Sequence, residues 1–292
     1  MRFCSFVEKT FPDHPGSIAE FSLPTTRTQA LSFFDDFLQN RFEQFGPYED
    51  AINSEHPFLF HSIISPALNI GLVTPQDILD KLEPIMYAGD VHLPSLEGLI
   101  RQIVGWREYM YGMYRILNLK GNFFQQKRRL TQAWYEGTTG IPPLDHCIQK
   151  ALRYGYLHHI ERLMIVGNLM LLSGIHPKEV FTWFMELFVD SADWVMTPNV
   201  YGMSQFADGG QIATKPYIAG SNYILKMSNY KKGTWCDIAD GLYWRFIEMH
   251  KDFFDTNPRM RIMTRALMNL DKNHKQTIFT AAESFIDRTT TL

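Results

Sequence analysis

Apolar residues recur every three or four positions through most of the chain, and no strand-like alternation persists over a useful length. In "TQALSFFDDFLQNRFEQFG" this period puts Leu31, Phe34, Leu38, Phe42 and Phe45 on one stripe, with Gly46 suited to the C-terminal cap. "TPQDILDKL" predicts a helix with Thr74 as N-cap and Pro75 at its first position. "SLEGLIRQIVGWREYMYGMYRIL" predicts a long helix capped by Ser95. "LDHCIQKALRYG" and "YLHHIERLMIVGNLMLLSG" predict two more, the second closed by Gly174. "HPKEVFTWFMELFVDS" opens at Pro177, and "DGLYWRFIEMHKDFF" and "HKQTIFTAAESFIDR" complete the set. The chain reads as all-α and as a single domain, 1–292, without an internal repeat.

One region breaks the rhythm. From Ser191 to about Ser221 the sequence is rich in Gly, Pro, Asn and aromatics and carries no helical period. A structureless stretch of that length in a helical domain is usually functional or disordered. Its aromatic residues argue against disorder. An ordered loop at about 191–221, packed against a ligand or the core, is expected.

Composition narrows the function classes. With 45% hydrophobic residues over 292 positions, the chain can bury a sizeable core. A net charge of -3 excludes a general attraction to nucleic acid, so any such contact needs a local basic patch. Two are available: Lys127, Arg128 and Arg129, and Lys226, Lys231 and Lys232. Cys4, Cys147 and Cys236 form no CxxC pair, which argues against a disulfide framework or a cysteine metal site. The N-terminus lacks a signal-peptide core, and no run approaches the roughly 18 apolar residues of a membrane span. A cytoplasmic, reduced, soluble protein with no membrane partner is expected.

The chemistry concentrates in a few places. "GYLHHIERLM" carries His158, His159 and Arg162 on an otherwise apolar helix. Adjacent helical residues point about 100° apart, and the HExxH spacing is missing, so no shared metal is expected there. A buried arginine needs an acid or a phosphate. Arg162 therefore sits either in a structural ion pair with Asp190 or Asp193, or in a ligand site. In "HPFLFHSIISPALN", His61, Ser62 and Ser65 precede a helix, where hydroxyls serve either as caps or as a phosphate cradle. Trp106 and Arg107 are either a stacking platform or the edge of a core. Trp134, Trp183, Phe184 and Trp194 are core residues or an electron relay.

Taken in order, "GTTGIPPLDHCIQKALRYGYLHHIERLMIVGNLMLL", "EGLIRQIVGWREY", "DSADWVMTPNVYGMSQFADGG", "TKPYIAGSNYI" and "NPRM" resemble the photolyase/cryptochrome family. They are most similar to its bacterial photolyase-related branch, which includes the iron–sulfur photolyases. The resemblance runs from about Phe11 to the C-terminus. It implies the helical FAD-binding domain without the N-terminal α/β antenna domain, and hence no antenna chromophore in this chain. It implies His61, Ser62 and Ser65 at the FAD phosphates, and Arg107, Arg162, Asp190, Asp193 and Asn199 around the flavin, with Asp190 as the acid partner of Arg162. Trp106, Tyr217, His158 and His159 then fall on the substrate side, and Trp183 at a relay position. The implied activity is that of a deoxyribodipyrimidine photolyase-type lyase: blue-light electron transfer from reduced FAD to a pyrimidine photoproduct in DNA.

The sequence departs from the branch in particular residues. The four cluster cysteines map to Pro143, Lys231, Thr234 and about Asp237, so no iron–sulfur cluster is expected. Met196 stands where an acid is expected beside the substrate, and Phe184 where a relay residue can carry a hydroxyl. A cryptochrome-like light sensor without repair activity is the alternative reading, and a helical module that has lost its cofactor is a third. A separate protein or a second copy of this chain is the partner expected where the missing domain would lie.

Overall fold

Thr26 starts the first long helix, Arg27–Asn40, by accepting the amide hydrogen of Gln29 on its hydroxyl. In the computed structural model, which describes residues 2–14, 18, 19, 21–87 and 91–292, that helix buries Ala30, Phe34 and Phe37. Leu31 and Leu38 remain half-buried at its edge. The chain breaks at Arg41 and resumes helix over Phe42–Tyr48, running straight through Gly46. Gly46 is thus not a cap. A Cβ there would lie 2.6 Å from the Ser95 backbone nitrogen, so glycine permits the crossing of two helices.

Ser95 plays the other half of that crossing. It lies inside Leu93–Ile100, whose N-cap residue is His92, not Ser95. Its hydroxyl accepts from Gly46 N at 2.9 Å and donates to Glu43 O at 3.0 Å. The helix continues through a π-helical turn, Arg101–Trp106, into Arg107–Ile116. The Thr74 and Pro75 start is as expected. Thr74 and Asp77 cap each other reciprocally at the head of Pro75–Tyr87.

In the second half, Pro142–Tyr154 ends at left-handed Gly155. A π-helical turn, Glu161–Gly167, leads into Asn168–Leu172, which closes at left-handed Gly174. Pro177–Leu187, Trp235–Met249 and Lys272–Thr289 build the rest of the core. The only paired strands among the described residues are a two-residue antiparallel clasp, Arg129 opposite Thr291 and Leu130 opposite Thr290.

The expected loop at 191–221 is corrected in its first half. Residues Asp193–Thr197 are α-helical and Pro198–Ser204 form a third π-helical turn. Pro198 lies where the α-helical turn passes into the π-helical one, and its missing N–H removes one bond from that run. The remainder, 205–220, is irregular but tied down. Asp208 accepts from Gly210 N and Ile212 N, and Asn168 exchanges two hydrogen bonds with Ala219.

Two large hydrophobic clusters result, with a small third of Leu119, Tyr201 and Ala207. One gathers residues from Ala30 to Ile103, and the other gathers residues mainly from Phe124 to Ile286. Among the described residues no helix is long and apolar enough to cross a membrane.

Candidate functional site

A cavity of about 400 Å³ lies at the seam of the two clusters. Phe45, Leu68, Leu99 and Ile103 face it from one side, and Leu163, Phe184, Met196 and Val200 from the other. All three π-helical turns contribute to its wall, through Trp106, Arg162 and Asn199. A π-turn inserts one residue and re-aims the side chains that follow, which is why such turns concentrate at binding sites.

Arg162 and Asp190 form the polar anchor. The guanidinium donates to both Asp190 oxygens at 2.9 and 3.0 Å, and its Nε donates to Leu157 O at 2.6 Å. It also lies 4.1 Å over the Phe188 ring. Of the two acids open to it by sequence, the pairing is with Asp190. A third donor completes Asp190: Ser65 Oγ at 2.7 Å. In this structure the Ser65 proton goes to the Asp190 carboxylate, although the residue also lines the cavity. Ser62 lines the cavity and has no hydrogen-bond partner among the described residues, so its hydroxyl is free for a ligand. Next to it, Ile63 holds φ at +55°, a strained conformation for a β-branched residue and one typical of ligand clamps.

Asn69 joins the anchor to the second arginine. Its Nδ2 donates to Asp190 O at 2.6 Å and its Oδ1 accepts from Arg107 at 2.7 Å. Burial pulls the Arg107 pKa below its usual range, and its guanidinium lies 4.7 Å over the Trp194 ring. Trp106 donates its indole N–H to Asn199 Oδ1 at 3.2 Å. Asn69 carried no sequence signal beyond its place near the end of a short helix.

Three histidines meet beside the cavity: His61 and His159 line it, and His158 is buried outside its lining. His158 precedes the helix instead of lying in it, so the 100° rule fails there. Its ring stacks on His61 at 4.6 Å between centroids and lies 6.1 Å from His159. The three rings therefore meet, although adjacent helical positions would have pointed two of them about 100° apart. Burial, then His159, pushes the His61 pKa down to about 4. Burial, then His61, holds His158 well below the usual imidazole range. His159 is partly exposed and its Nε2 lies 3.2 Å from Asp50 Oδ1, an acid the sequence did not flag. Behind them, Lys150 and Glu161 form a buried ion pair.

Two expected residues lie elsewhere. Asp193 is not in the cavity wall, because its carboxylate accepts from Tyr114 OH at 2.6 Å and sits 3.7 Å from Lys120. Tyr217 is 36% exposed in the irregular segment, outside the cavity lining. Trp183 is fully buried and donates to Trp134 O at 2.9 Å. Its ring touches Phe184, which lines the cavity, at 5.4 Å between centroids.

The donor set fits a dinucleotide with a flat ring system. Apolar walls flank the space, two guanidiniums are fixed by acids or amides, and Ser62 offers a free hydroxyl beside a strained backbone turn. Comparison with known proteins agrees. A family model described as the FAD-binding domain of DNA photolyase matches residues 103–233. The (6-4) photolyase of Agrobacterium fabrum is 39% identical over 92% of this chain and 56% of its own length. A bacterial class III photolyase from Agrobacterium tumefaciens superposes with a TM-score of 0.58 at 20% identity, over 96% of this chain and 58% of that one. A Synechocystis cryptochrome gives 0.54 at 14% identity, over 94% and 57%. At those identities the two structures speak to the fold alone. The fold and the family model together thus define a helical FAD-binding domain. The chain belongs to the photolyase/cryptochrome family, as its FAD-binding domain, and spans little more than half the length of these relatives.

Proposed function

We propose that this chain binds FAD in the seam cavity and uses blue light to repair a pyrimidine photoproduct in DNA. The observation that carries the reading is the network Arg107–Asn69–Asp190–Arg162 on the cavity wall. When bound, reduced FAD excited by blue light supplies a transferable electron. Arg162, held by Asp190, keeps a fixed positive charge against the inner wall. The Ser62 hydroxyl and the turn at Ile63 hold the phosphates. Leu99, Ile103, Met196 and Val200 keep water out of the space between ligand and lesion.

A lesion must leave the duplex to reach such a cavity, and a flipped base needs a stacking surface. Trp106 provides one, its ring fixed through Asn199. His159 lies at the rim with Asp50 behind it, placed to give a proton to a bound lesion and take it back. Trp183, one ring behind Phe184, is the buried indole through which an electron from outside reaches the cavity.

Two assays test the proposal. The absorption spectrum of the purified protein, before and after addition of FAD, is expected to show oxidised-flavin bands. A colourless protein that takes up no FAD overturns the reading. Reduced holoprotein with ultraviolet-irradiated DNA is then expected to restore intact pyrimidines under blue light and none in the dark. Binding of lesion DNA without light-dependent repair leaves a flavin sensor in its place.

A further inference from the structure

The flavin reading uses one of the three clustered histidines and leaves the other two unexplained. His158 is 1% exposed, and neither of its ring nitrogens makes a hydrogen bond, although Glu161 Oε2 lies 3.4 Å from its Nε2. Leaving a buried polar atom unpaired is destabilising, so such a group calls for a missing partner. His61 presents the converse problem. Its Nδ1 lies 3.2 Å from Phe58 O and its Nε2 3.0 Å from Glu49 O, yet a neutral ring can donate to only one of them. Two buried rings therefore each carry a lone pair with no proton donor facing it.

A metal ion resolves both, and we propose that His61, His158 and His159 form a site for a divalent transition ion of the zinc class. One ligand atom from each ring lies within 4.8 Å of the other two. Tetrahedral zinc with bonds of about 2.0–2.1 Å sets its ligand atoms roughly 3.4 Å apart, so the rings must close by up to about 1.4 Å. The closure needs His61 to turn out of its stack on His158, because parallel rings do not point their lone pairs at one ion. Turning it releases the carbonyl that its unprotonated nitrogen faces. His159, with its side chain 44% exposed, is free to swing inward.

The surroundings suit the ion. Metal-bound imidazoles typically donate their second N–H to a carboxylate. Asp50 lies 3.2 Å from His159 Nε2, and Glu161 lies 3.4 Å from His158 Nε2. The nearby cations are already paired, Lys150 with Glu161 and Arg162 with Asp190. Three neutral nitrogen ligands favour zinc, cobalt, nickel or copper over magnesium or calcium. His61 and His159 both line the cavity, so the fourth position opens toward it. An ion there occupies the His159 lone pair and withdraws that ring from proton transfer. Zinc would then act as an inhibitor at the proposed substrate mouth.

The test is titration of the chelator-treated full chain with zinc chloride, followed by calorimetry, and repeated after FAD loading. One ion per chain is expected, with His159→Ala and His61→Ala each weakening it by about tenfold or more, as loss of even an outer partner does elsewhere. Ligand-field bands of tetrahedral cobalt are expected in the wild type and lost in His159→Ala. Magnesium should produce no heat. Absence of zinc uptake, or uptake unchanged in the histidine variants while their helical circular dichroism is intact, overturns the proposal. The titration needs neither flavin nor DNA, so its failure and that of the photolyase reading are separable.

Discussion

Arg162 stands on the cavity wall, and its partners define what its loss should do. Arg162→Ala strands the Asp190 carboxylate in a buried position, where only Ser65 still donates to its side chain. Removing one partner of a buried pair costs about 3–5 kcal/mol, whereas replacing both by apolar groups of similar shape is often neutral. Urea unfolding should therefore show a large loss for Arg162→Ala and recovery in Arg162→Met with Asp190→Leu. Flavin content should stay low in both. If the double variant regains FAD, the pair is structural only. His61 sets a pH dependence. Its folded pKa of about 4 lies below the ordinary imidazole value of 6.5, so the unfolded chain takes up a proton that the folded chain refuses. Stability is then complete above about pH 6.5 and falls as the pH drops toward 4, by about 3 kcal/mol for this one ring at about 1.4 kcal/mol per pH unit. His158 adds to the loss in the same direction. Unfolding midpoints measured from pH 8 to 4 should show this slope, reduced in His61→Gln.

At the level of elements, the signals that local chemistry carries were legible. Thr74 with Pro75, Pro177 and Gly174 mark boundaries because each acts through its own backbone or its immediate neighbours. The helical turn at 193–204 was not legible, because Pro198 and Gly202 read as breakers when their long-range setting is unknown. That setting is the crossing of two π-turns. A Cβ on Gly167 would lie 2.1 Å from Ser204 Oγ, so glycine is what lets Glu161–Gly167 and Pro198–Ser204 touch. The same limit hid the role of Ser65, whose partner Asp190 is 125 positions away, and those of Asn69 and Asp50. Arg162 was legible because a guanidinium in an apolar helix demands a partner wherever it comes from. Gly167→Ala should destabilise by about 1–3 kcal/mol as an overpacked contact, and it should loosen FAD by tilting Arg162 away from Asn199. Adding Ser204→Gly should restore part of both losses, because the Arg162 carbonyl oxygen would still lie 2.9 Å from the new methyl group. Thermal melts and flavin retention of the two single variants and the double variant would expose any failure of that coupling.

Over the whole molecule, the net charge of -3 leaves any DNA contact to a local patch, and the fold decides which of the two basic runs can serve. In the first run, Arg128 is spent on Thr290 and Asp287 beside the C-terminal clasp. The second run lies near the mouth of the cavity. Ile52 N donates to Met227 O at 2.8 Å and Ser54 N to Asn229 Oδ1 at 3.0 Å, which fastens 226–232 to the loop bearing Asp50, the partner of His159. Lys226, Lys231 and Lys232 are all exposed there. A lesion base stacked on Trp106 beside His159 would bring its flanking phosphates past this edge. Each lysine that neutralises a duplex phosphate adds about 0.9 to the slope of log affinity against log salt. Replacing all three by alanine should therefore lower that slope by about 2–3 for irradiated duplex DNA, with flavin content unchanged. Replacing Lys127 and Arg129 should leave it near the wild-type value. Equal losses from both sets would mean that DNA is held by general charge and that the cavity mouth does not orient it.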